Sequence, residues 1–454
     1  MRRMISDATS AKGSAGNAST EAAVSPGNLP GDSGGRNIKK IQTLVVSIAL
    51  LALATHFLYF SHFRNFYSSD SSTYITPASN LIHGRGFTGL DGRVETVRTP
   101  GYPLLIVPFL LAGADLKYLV ILQHLMQVAL IVATVIVAFK LSGSGGLALI
   151  VGIIFLIDLP MLEAANHILT ETFFTVVFAS ALWLLWTGSM PPEGRRWNRL
   201  LFSGLLAGAS VLIRPVALYF FVPAAVYLLL AKGRLRSVFI FVAAFACFPL
   251  LWAARNYHQT GYFTVSSVSG QELLCWRAGG ILALEEPGDF NANVAKRCTQ
   301  LENTVCSELK TQYGKDCSEF SSAQKSAYEM QLARRILAQN PIGYLKLALR
   351  GAAVMLLDGG PSSLQGITGI NPHVGIRLLL IYTVPALCFA LAGLWELWKR
   401  NRQLFFLCFL TTAYFVAVSA GGDSYSRHRV PITPVYAVLI AYGIDGIFKS
   451  RASA

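Results

Sequence analysis

Long apolar runs alternate with short polar segments along most of this chain. A helix needs about 17 to 25 mainly apolar residues to cross the roughly 30 Å hydrocarbon core of a bilayer. Ten runs reach or approach that length, and the two shortest depend partly on the topology that they complete. The ten predicted spans are residues 41–60, 118–140, 147–160, 170–188, 199–213, 216–231, 236–254, 376–398, 403–420 and 431–447. The pattern therefore predicts an all-α polytopic membrane protein.

Composition agrees with this prediction. Hydrophobic residues make up 53% of the chain and charged residues only 14%, and the mean hydropathy is +0.49. These values exceed what a soluble fold of this length requires. The main solvent of the folded chain is therefore predicted to be lipid.

The placement of Lys and Arg predicts the orientation, because basic residues resist transfer across the membrane during insertion. An even number of spans puts both termini on one side, and most of the net charge of +14 falls on that side. We therefore expect both termini to be cytoplasmic. The excess of basic over acidic residues is therefore interpreted as a sign of topology. The chain has no basic patch with interleaved aromatic residues that would indicate binding to nucleic acid.

Four segments follow from this topology. Residues 1–40 are rich in Ser, Gly and Ala and read as a disordered cytoplasmic tail, before an uncleaved signal-anchor span. Residues 41–254 form an N-terminal transmembrane module, predicted to be catalytic, that contains a first outer loop at 61–117. Residues 255–375 form an outer segment, and 376–454 a C-terminal transmembrane module. Two apolar stretches too short to span, 102–111 and 344–358, are predicted to lie along the outer interface.

The cysteines divide between the spans and the outer segment. Cys247, Cys388 and Cys408 lie in spans and are interpreted as small core residues. Four others share the predicted outer segment, where disulfides persist: Cys275, Cys298, Cys306 and Cys317. Disulfides are favoured over a four-cysteine metal site because no CxxC pair is present. Three pairings remain open.

The cytoplasmic loops are too short to fold into a nucleotide-binding domain. The chain also has no GxxxxGK phosphate loop and no dinucleotide GxGxxG motif after a strand. The sequence therefore gives no indication of chemistry on ATP or nucleotide sugars at the inner face, and the activity is expected outside or within the membrane.

Two acids stand at predicted outer boundaries of the hydrocarbon. Asp70 follows the first span, and Glu171 begins the fourth. Loss of hydration raises the basicity of a carboxylate and suits it to accept a proton from a hydroxyl. The structural alternatives are an N-cap role for Asp70 and a helix start in which Thr170 caps and Glu171 occupies the first turn. The spacing alone does not decide between them.

Several arginines share this predicted outer depth. They are Arg214, Arg255, Arg427 and Arg429. Guanidinium groups bind phosphate through two parallel hydrogen bonds and stay charged. The alternative is snorkelling toward lipid headgroups. Acids together with phosphate-binding bases suit transfer from a lipid phosphate, because the phosphate gains negative charge as a sugar leaves it.

The order of these residues resembles the bacterial GT-C glycosyltransferases, specifically the branch of protein mannosyltransferase-like and lipid A aminoarabinose transferase-like enzymes. The resemblance covers roughly 41–447 and weakens between 257 and 375. The matching positions are Asp70, Tyr74, Ala78, Leu81, Gly84-Arg85-Gly86, Arg98-Thr99-Pro100-Gly101-Tyr102-Pro103, Thr170-Glu171, Ile213-Arg214-Pro215, Trp252, Arg255-Asn256 and Arg427-His428-Arg429-Val430-Pro431.

The resemblance implies a GT-C fold, a polyprenyl-phosphate sugar donor such as an undecaprenyl-phosphate sugar, transfer at the periplasmic face of the bacterial inner membrane and usually inversion at the anomeric carbon. Asp70 becomes the candidate base, and Glu171 is expected to orient substrate or assist a cation. No cofactor is specified, although a divalent cation near these two acids is compatible with the pattern. The acceptor is expected to be an envelope hydroxyl or amine.

The resemblance also assigns the remaining residues. Arg214, Arg255, Arg427 and Arg429 are expected to hold the donor phosphate. Tyr74, Arg98, Tyr102 and His167 are expected to line the substrate pocket. The chain departs from some relatives in having a small cysteine-bearing outer domain in place of a larger C-terminal periplasmic domain, so the acceptor and the sugar, hexose or pentose, stay open.

Two other functions remain as alternatives. A lipid or glycolipid transporter or flippase predicts inverted repeats and broken spans near the midplane, whereas the breaks visible in this sequence fall in the outer loops. A non-catalytic assembly subunit would use the 255–375 segment for binding.

Overall fold

The computed structural model describes residues 33–190, 196–231 and 235–452. These residues are mostly helical, and their only strand pairing is an isolated antiparallel bridge between Thr88 and Val94. The all-α prediction is therefore confirmed. The predicted tail lies outside the described residues as far as residue 32, as do the loop residues 191–195 and 232–234 that carry predicted cytoplasmic bases.

The helices are numbered in chain order. The first ten are α1 (Ser33–His62), α2 (Ser71–Ile82), α3 (Gly101–Leu111), α4 (Lys117–Ser142), α5 (Gly145–Leu156), α6 (Leu159–Asn166), α7 (Glu171–Ser189), α8 (Arg196–Ile213), α9 (Phe221–Leu230) and α10 (Leu235–Thr260). The remaining nine are α11 (Val268–Gln271), α12 (Gly280–Ala283), α13 (Phe290–Tyr313), α14 (Ser322–Gln339), α15 (Pro341–Leu357), α16 (Pro361–Thr368), α17 (Pro372–Arg400), α18 (Arg402–Ser419) and α19 (Thr433–Ala452).

Seven helical segments among the described residues are long and apolar enough to cross a membrane, and they correspond to α1, α4, α7, α10, α17, α18 and α19. The pair α5 and α6, bent by 56°, would make an eighth. The predicted spans 199–213 and 216–231 coincide with α8 and with the short apolar segment Pro215–Leu230. Arg196 and Arg199 lower the hydropathy of α8. The count of ten stays a prediction.

Small residues let α17 and α19 approach closely. A Cβ at Gly393 would lie 1.8 Å from the carbonyl oxygen of Leu439, and a Cβ at Gly443 would lie 2.0 Å from that of Phe389. Glycine at such positions brings helix backbones into contact, which is how dispersion forces hold helices together where lipid removes the hydrophobic drive. Larger residues at either position would push the two helices apart.

The predicted interfacial stretches are both helical. The stretch 102–111 corresponds to α3, which packs against α2 in the first outer loop. The stretch 344–358 falls within α15, which ends at Leu357 before Gly360, whose φ is +84°. A left-handed residue of this kind is most readily supplied by glycine.

The outer segment 255–375 has its own small apolar core. Leu274, Val305, Leu309, Phe320 and Ala333 are buried together there, between α13, α14 and the π-helical turn Glu272–Gly279. The structure also decides among the three pairings that the sequence left open. The disulfides are Cys275–Cys298 and Cys306–Cys317. With all four sulfurs paired, a four-cysteine metal site is excluded.

Candidate active site

Asp70 stands at the N-cap position of α2, but its side chain makes no capping hydrogen bond. Its two carboxylate oxygens accept instead from Arg98, at 3.0 Å, and from Arg427, at 2.9 Å. The N-cap alternative therefore does not describe this side chain, and the role of Asp70 as a base stays a prediction. The arginines reach Asp70 from the first outer loop and from the 3-10 segment Ser426–Ile432 that precedes α19.

Glu171 is the first residue of α7 and is completely buried. Its carboxylate forms ion pairs with Arg214 and with Arg427. Thr170 makes no side-chain cap, and its hydroxyl lies 3.4 Å from the Glu171 carboxylate. Arg214 reaches Glu171 from the extended residue before the 3-10 turn Pro215–Ala217, because the following proline disfavours helical backbone there. The cluster around Arg427 thus joins four chain segments, which carry Asp70, Glu171, Arg214 and Arg427 itself.

The cluster holds more positive than negative charge. Three guanidinium groups, of Arg98, Arg214 and Arg427, face two carboxylates, of Asp70 and Glu171. Burial by itself raises the pKa of Asp70, but the neighbouring guanidinium groups of Arg427 and Arg98 outweigh it and hold that pKa below its ordinary value. Asp70 is therefore a weaker base in this state than its position near the hydrocarbon suggested.

Arg98 connects Asp70 to an aromatic wall. Its guanidinium group donates to the Thr73 hydroxyl at 2.9 Å and to the Tyr74 hydroxyl at 3.3 Å, and lies 4.8 Å from the centre of the Tyr74 ring. The Tyr74 ring in turn meets the Tyr102 ring edge to face, with centroids 5.3 Å apart. Of the four predicted pocket residues, Arg98 therefore contacts Asp70 directly, and Tyr74 and then Tyr102 follow behind Arg98.

Tyr102 and His167 are engaged within the protein. Tyr102 is completely buried, and its hydroxyl donates to Gln123 at 2.6 Å. His167 is half-buried and uses Nδ1 to donate to the carbonyl of Glu163 at 3.0 Å, while its own carbonyl accepts from Gln123. Neither residue has a polar contact with Asp70 or Glu171. In this structure both support the wall of the site rather than its surface.

Arg255 is placed differently from Arg214 and Arg427. Its guanidinium group donates to the backbone carbonyls of Glu95 and Phe87, at 2.9 and 3.2 Å, and lies 4.7 Å from the centre of the Trp252 ring. These contacts tie α10 to the first outer loop. The sequence expectation placed this arginine on the donor phosphate, but its donors are directed at carbonyl oxygens.

Arg429 also differs from the expectation, because it is buried away from the surface of the cluster. Only 2% of its side chain is exposed, and it pairs with Asp158, which is equally buried, at 3.4 Å. It also donates to the carbonyls of Leu356 and Asp358. With so little exposed surface and its Nη donors directed at protein acceptors, Arg429 presents no open face toward the cluster in this structure.

No family model matches this chain, and no curated protein matches its sequence. Among solved structures it is similar to the oligosaccharyltransferase AglB of the archaeon Archaeoglobus fulgidus, in complex with an inhibitory peptide and a dolichol-phosphate. That match has 11% identity, a TM-score of 0.52, and covers 90% of this chain and 50% of that one. An oligosaccharyltransferase from the same organism, in the apo form, matches with 13% identity and a TM-score of 0.51, and the match covers 90% of this chain and 51% of that one. ArnT of Cupriavidus metallidurans, bound to undecaprenyl phosphate, matches with 15% identity and a TM-score of 0.39, and the match covers 90% of this chain and 79% of that one.

The chain has the GT-C fold. The fold that the sequence resemblance implied is thereby confirmed. The chain spans about half the length of the archaeal oligosaccharyltransferases that it matches. At such low identity the likeness concerns the arrangement of the helices.

One further carboxyl, that of Glu272, is not among the residues that the sequence predicted for the site. Glu272 begins the π-helical turn after α11, and its carboxyl makes no hydrogen bond or ion pair within the described residues. Burial, and then the charge of Asp423, raise the pKa of Glu272 to about 7, against the attraction of Arg277, Arg98 and Arg214. The charges of Arg98 and Arg214 thus act on this carboxyl, although neither guanidinium group forms an ion pair with it within the described residues. The sequence signal available was an acid shortly before Cys275, separated from it by Leu273 and Leu274, which is too common to be diagnostic.

The donor set of the cluster around Arg427 does not fit a divalent cation held by side chains. Both oxygens of Asp70 face guanidinium groups, and Glu171 is enclosed by two arginines. Within the described residues, the one close grouping of three metal-ligating side chains is Cys275, Cys298 and Glu302, and its two sulfurs form a disulfide. The carboxylates of the cluster are neutralised by arginine rather than arranged around a cation.

Proposed function

We propose that this protein is a glycosyltransferase that moves a sugar, with inversion, from a polyprenyl-phosphate donor to a hydroxyl- or amine-bearing acceptor. The acceptor class comprises glycolipid, polysaccharide and protein of the cell envelope, and the sugar is a hexose or a pentose. The observation that carries the proposal is the excess of guanidinium groups over carboxylates around Arg427.

The charge of the cluster suits the leaving group of this reaction. A polyprenyl-phosphate sugar is a phosphodiester with one negative charge, and the released polyprenyl phosphate approaches two. Arg98, Arg214 and Arg427 together exceed the two carboxylates by one positive charge. Their attraction for the phosphate is therefore strongest in the transition state, where the new charge develops.

Asp70 is the proposed base. As the acceptor oxygen or nitrogen bonds to C1, the bond from C1 to the phosphate oxygen breaks, the phosphate keeps the electron pair, and Asp70 takes the acceptor proton. A bound phosphate would compete with Asp70 for Arg98 and Arg427. Weaker pairing with arginine raises the basicity of the carboxylate, so donor binding itself would prepare Asp70 for proton transfer.

Glu171 has a different proposed role. Its carboxylate is fully buried and enclosed by Arg214 and Arg427, which leaves it no face for an acceptor. Truncating one partner of a buried charge pair is costly because the remaining charge loses its compensation. We assign Glu171 to holding these two arginines in position for the donor phosphate.

Other observations support the donor class and the location. The archaeal oligosaccharyltransferase of similar fold was solved with a dolichol-phosphate, which is a polyprenyl-type lipid phosphate. Two disulfides in the 255–375 segment are typical of an oxidising compartment such as the periplasm. Together with the basic residues of the short loops, they favour a bacterial inner-membrane protein with cytoplasmic termini and a periplasmic site.

The broken span formed by α5 and α6 gives little support to the transporter alternative. Broken helices of transporters leave backbone groups and helix ends free to bind substrate. Here the break is filled from within the protein, since Asp158 accepts the Met161 amide at 3.1 Å and pairs with Arg429. No substrate site is left at the break.

The test is transfer by membranes that contain the protein. Membranes are supplied with undecaprenyl-phosphate carrying a radiolabelled hexose or pentose, and label is measured in lipid, polysaccharide and protein fractions. The expected result is transfer by wild type and its loss in Asp70→Asn. Asp91→Asn, which changes an exposed aspartate of the same outer loop, is the matched control and should retain transfer. Full activity of Asp70→Asn would exclude Asp70 as the base, and no transfer from any donor would contradict the function.

A further inference from the structure

The buried pair of Arg429 and Asp158 is the most enclosed ion pair among the described residues. Both side chains are 2% exposed, and the guanidinium group also donates to the carbonyls of Leu356 and Asp358, at 3.0 and 3.2 Å. Two charges removed from solvent in this way are costly unless the geometry around them is well satisfied. The pair therefore fixes the relative placement of the segments that carry it.

Asp158 contributes from the break between α5 and α6. It is the N-cap residue of α6, and its Oδ1 accepts the amide of Met161 at 3.1 Å while Oδ2 faces Arg429. One carboxylate thus starts a helix and anchors a distant segment. An asparagine at this position would keep the capping acceptor and lose the charge.

The segment that Arg429 anchors is the one that carries Arg427. At its start, the amide of Ser426 donates to Oδ2 of Asp358 at 2.9 Å. Arg427 therefore lies between two buried anchors, one residue after the first and two residues before the second. Both anchors converge on Asp358, since Arg429 donates to its backbone carbonyl and Ser426 to its side chain.

We propose that Asp158 and Arg429 are positioning residues that hold Arg427 in reach of both Asp70 and Glu171. A guanidinium group that bridges two carboxylates tolerates little displacement of its backbone, because each hydrogen bond weakens steeply with misalignment. The Asp158–Arg429 pair supplies that constraint without touching the cluster. The consequence for donor binding rests on the proposed function, whereas the effect on Arg427 itself does not.

The first test measures the affinity of purified protein for undecaprenyl phosphate. Asp158→Asn is expected to weaken binding roughly tenfold, which corresponds to about 1.4 kcal/mol. In an Arg427→Gln background the same change should have almost no further effect, since the positioned group is already absent. An equal fold loss in both backgrounds, or no loss in either, would overturn the proposal.

The second test follows Arg427 directly and needs no donor. Phenylglyoxal modifies guanidinium groups, and mass spectrometry of peptides reports the rate at each arginine. Arg427 in wild type is shielded by two carboxylates and should react slowly, whereas Asp158→Asn should raise its rate several-fold. An unchanged rate would overturn the proposal even if wild type binds no undecaprenyl phosphate, a result that would contradict only the proposed function.

Two variants separate positioning from stability. Asp158→Asn with Arg429→Gln leaves no unpaired buried charge, so its Tm should recover relative to Asp158→Asn alone while Arg427 stays fast-reacting. Asp445→Asn breaks a more exposed ion pair, with Arg400 at 2.6 Å, near the opposite end of α19. It should lower Tm without changing the reactivity of Arg427. If Arg427 reactivity follows Tm across all these variants, the pair has a purely structural role and the proposal is wrong.

Discussion

Arg427 and Asp70, 357 positions apart in the chain, form an ion pair with 2.9 Å between nitrogen and oxygen. The same guanidinium group is paired with Glu171. The candidate active site is therefore divided between the first outer loop and the segment before the last helix, and neither terminal half contains it alone.

Arg427→Gln is expected to weaken the affinity for undecaprenyl phosphate by at least tenfold. The change removes a guanidinium group from the cluster and leaves Asp70 with Arg98, and Glu171 with Arg214. Loss of a charged partner in a buried site commonly costs 2 kcal/mol or more. Binding to purified protein checks this, with Arg335→Gln, an exposed arginine of α14, as the control. Equal affinities in the two variants would contradict the assignment.

Arg255→Gln should behave differently, because Arg255 binds backbone carbonyls of the first outer loop. We expect a loss of stability of about 2 kcal/mol, in the range for hydrogen bonds from a charged donor. The affinity for undecaprenyl phosphate should change by less than about twofold. Thermal unfolding and binding are measured on the same sample, and a loss of affinity as large as that of Arg427→Gln would return Arg255 to the phosphate site.

Stability should depend on pH through two carboxyls of the outer segment, those of Glu272 and Glu329, whose pKa values are raised. Burial raises the pKa of Glu272 to about 7, and burial likewise raises the pKa of Glu329 to about 7, from ordinary values of 4.5. Protonated carboxyls of this kind contribute stability that is fully present below 4.5 and is lost as the pH rises through about 7. Asp70 does not contribute to this pH dependence. Its pKa is lowered, so the stability that it contributes is lost only as the pH falls below its ordinary pKa of 3.8.

The expected result is a Tm a few degrees higher at about pH 5 than at about pH 8. Replacing both acids, with Glu272→Gln and Glu329→Gln, should reduce this difference by raising Tm at the higher pH. Glu285→Gln, at an exposed position of the same segment, should leave the difference unchanged. A pH dependence of Tm that is identical in wild type and the double variant would show that other groups control it.

The disulfides should stabilise the outer segment separately. They close loops with sequence separations of 23 and 11, and loop entropy predicts about 3 kcal/mol for each. Replacing Cys306 and Cys317 with serine should lower Tm, and non-reducing peptide mapping should still find the Cys275–Cys298 bond. Recovery of Cys275 linked to Cys306 or Cys317 in wild type would contradict the pairing.

Several parts of the fold could be predicted because their causes are local. The predicted span 118–140 coincides with α4, and the predicted outer stretch 344–358 ends where α15 ends, shortly before Gly360. Apolar length and a glycine with positive φ act over a few residues. The lower apolarity of α8 is also local, since Arg196 and Arg199 lie in its first turn.

The roles of the arginines could not be predicted in the same way. Arg214, Arg255 and Arg429 all stand near the ends of apolar runs, and each was expected at the donor phosphate. The structure gives them a carboxylate of the cluster, two backbone carbonyls and a buried aspartate, respectively. Their local sequences carry no information about the acceptors that distant segments bring to them.

The sequence by itself determined that this is a helical membrane protein with short basic loops and a cysteine-bearing outer segment. Those features depend on the cost of exposing backbone and charge to lipid, which each segment meets within itself. Tertiary structure alone decided the disulfide pairing and which charges compensate one another. An ion pair such as Arg427 with Asp70 depends on both residues losing water together, and that requires the packed helices to bring them to the same place.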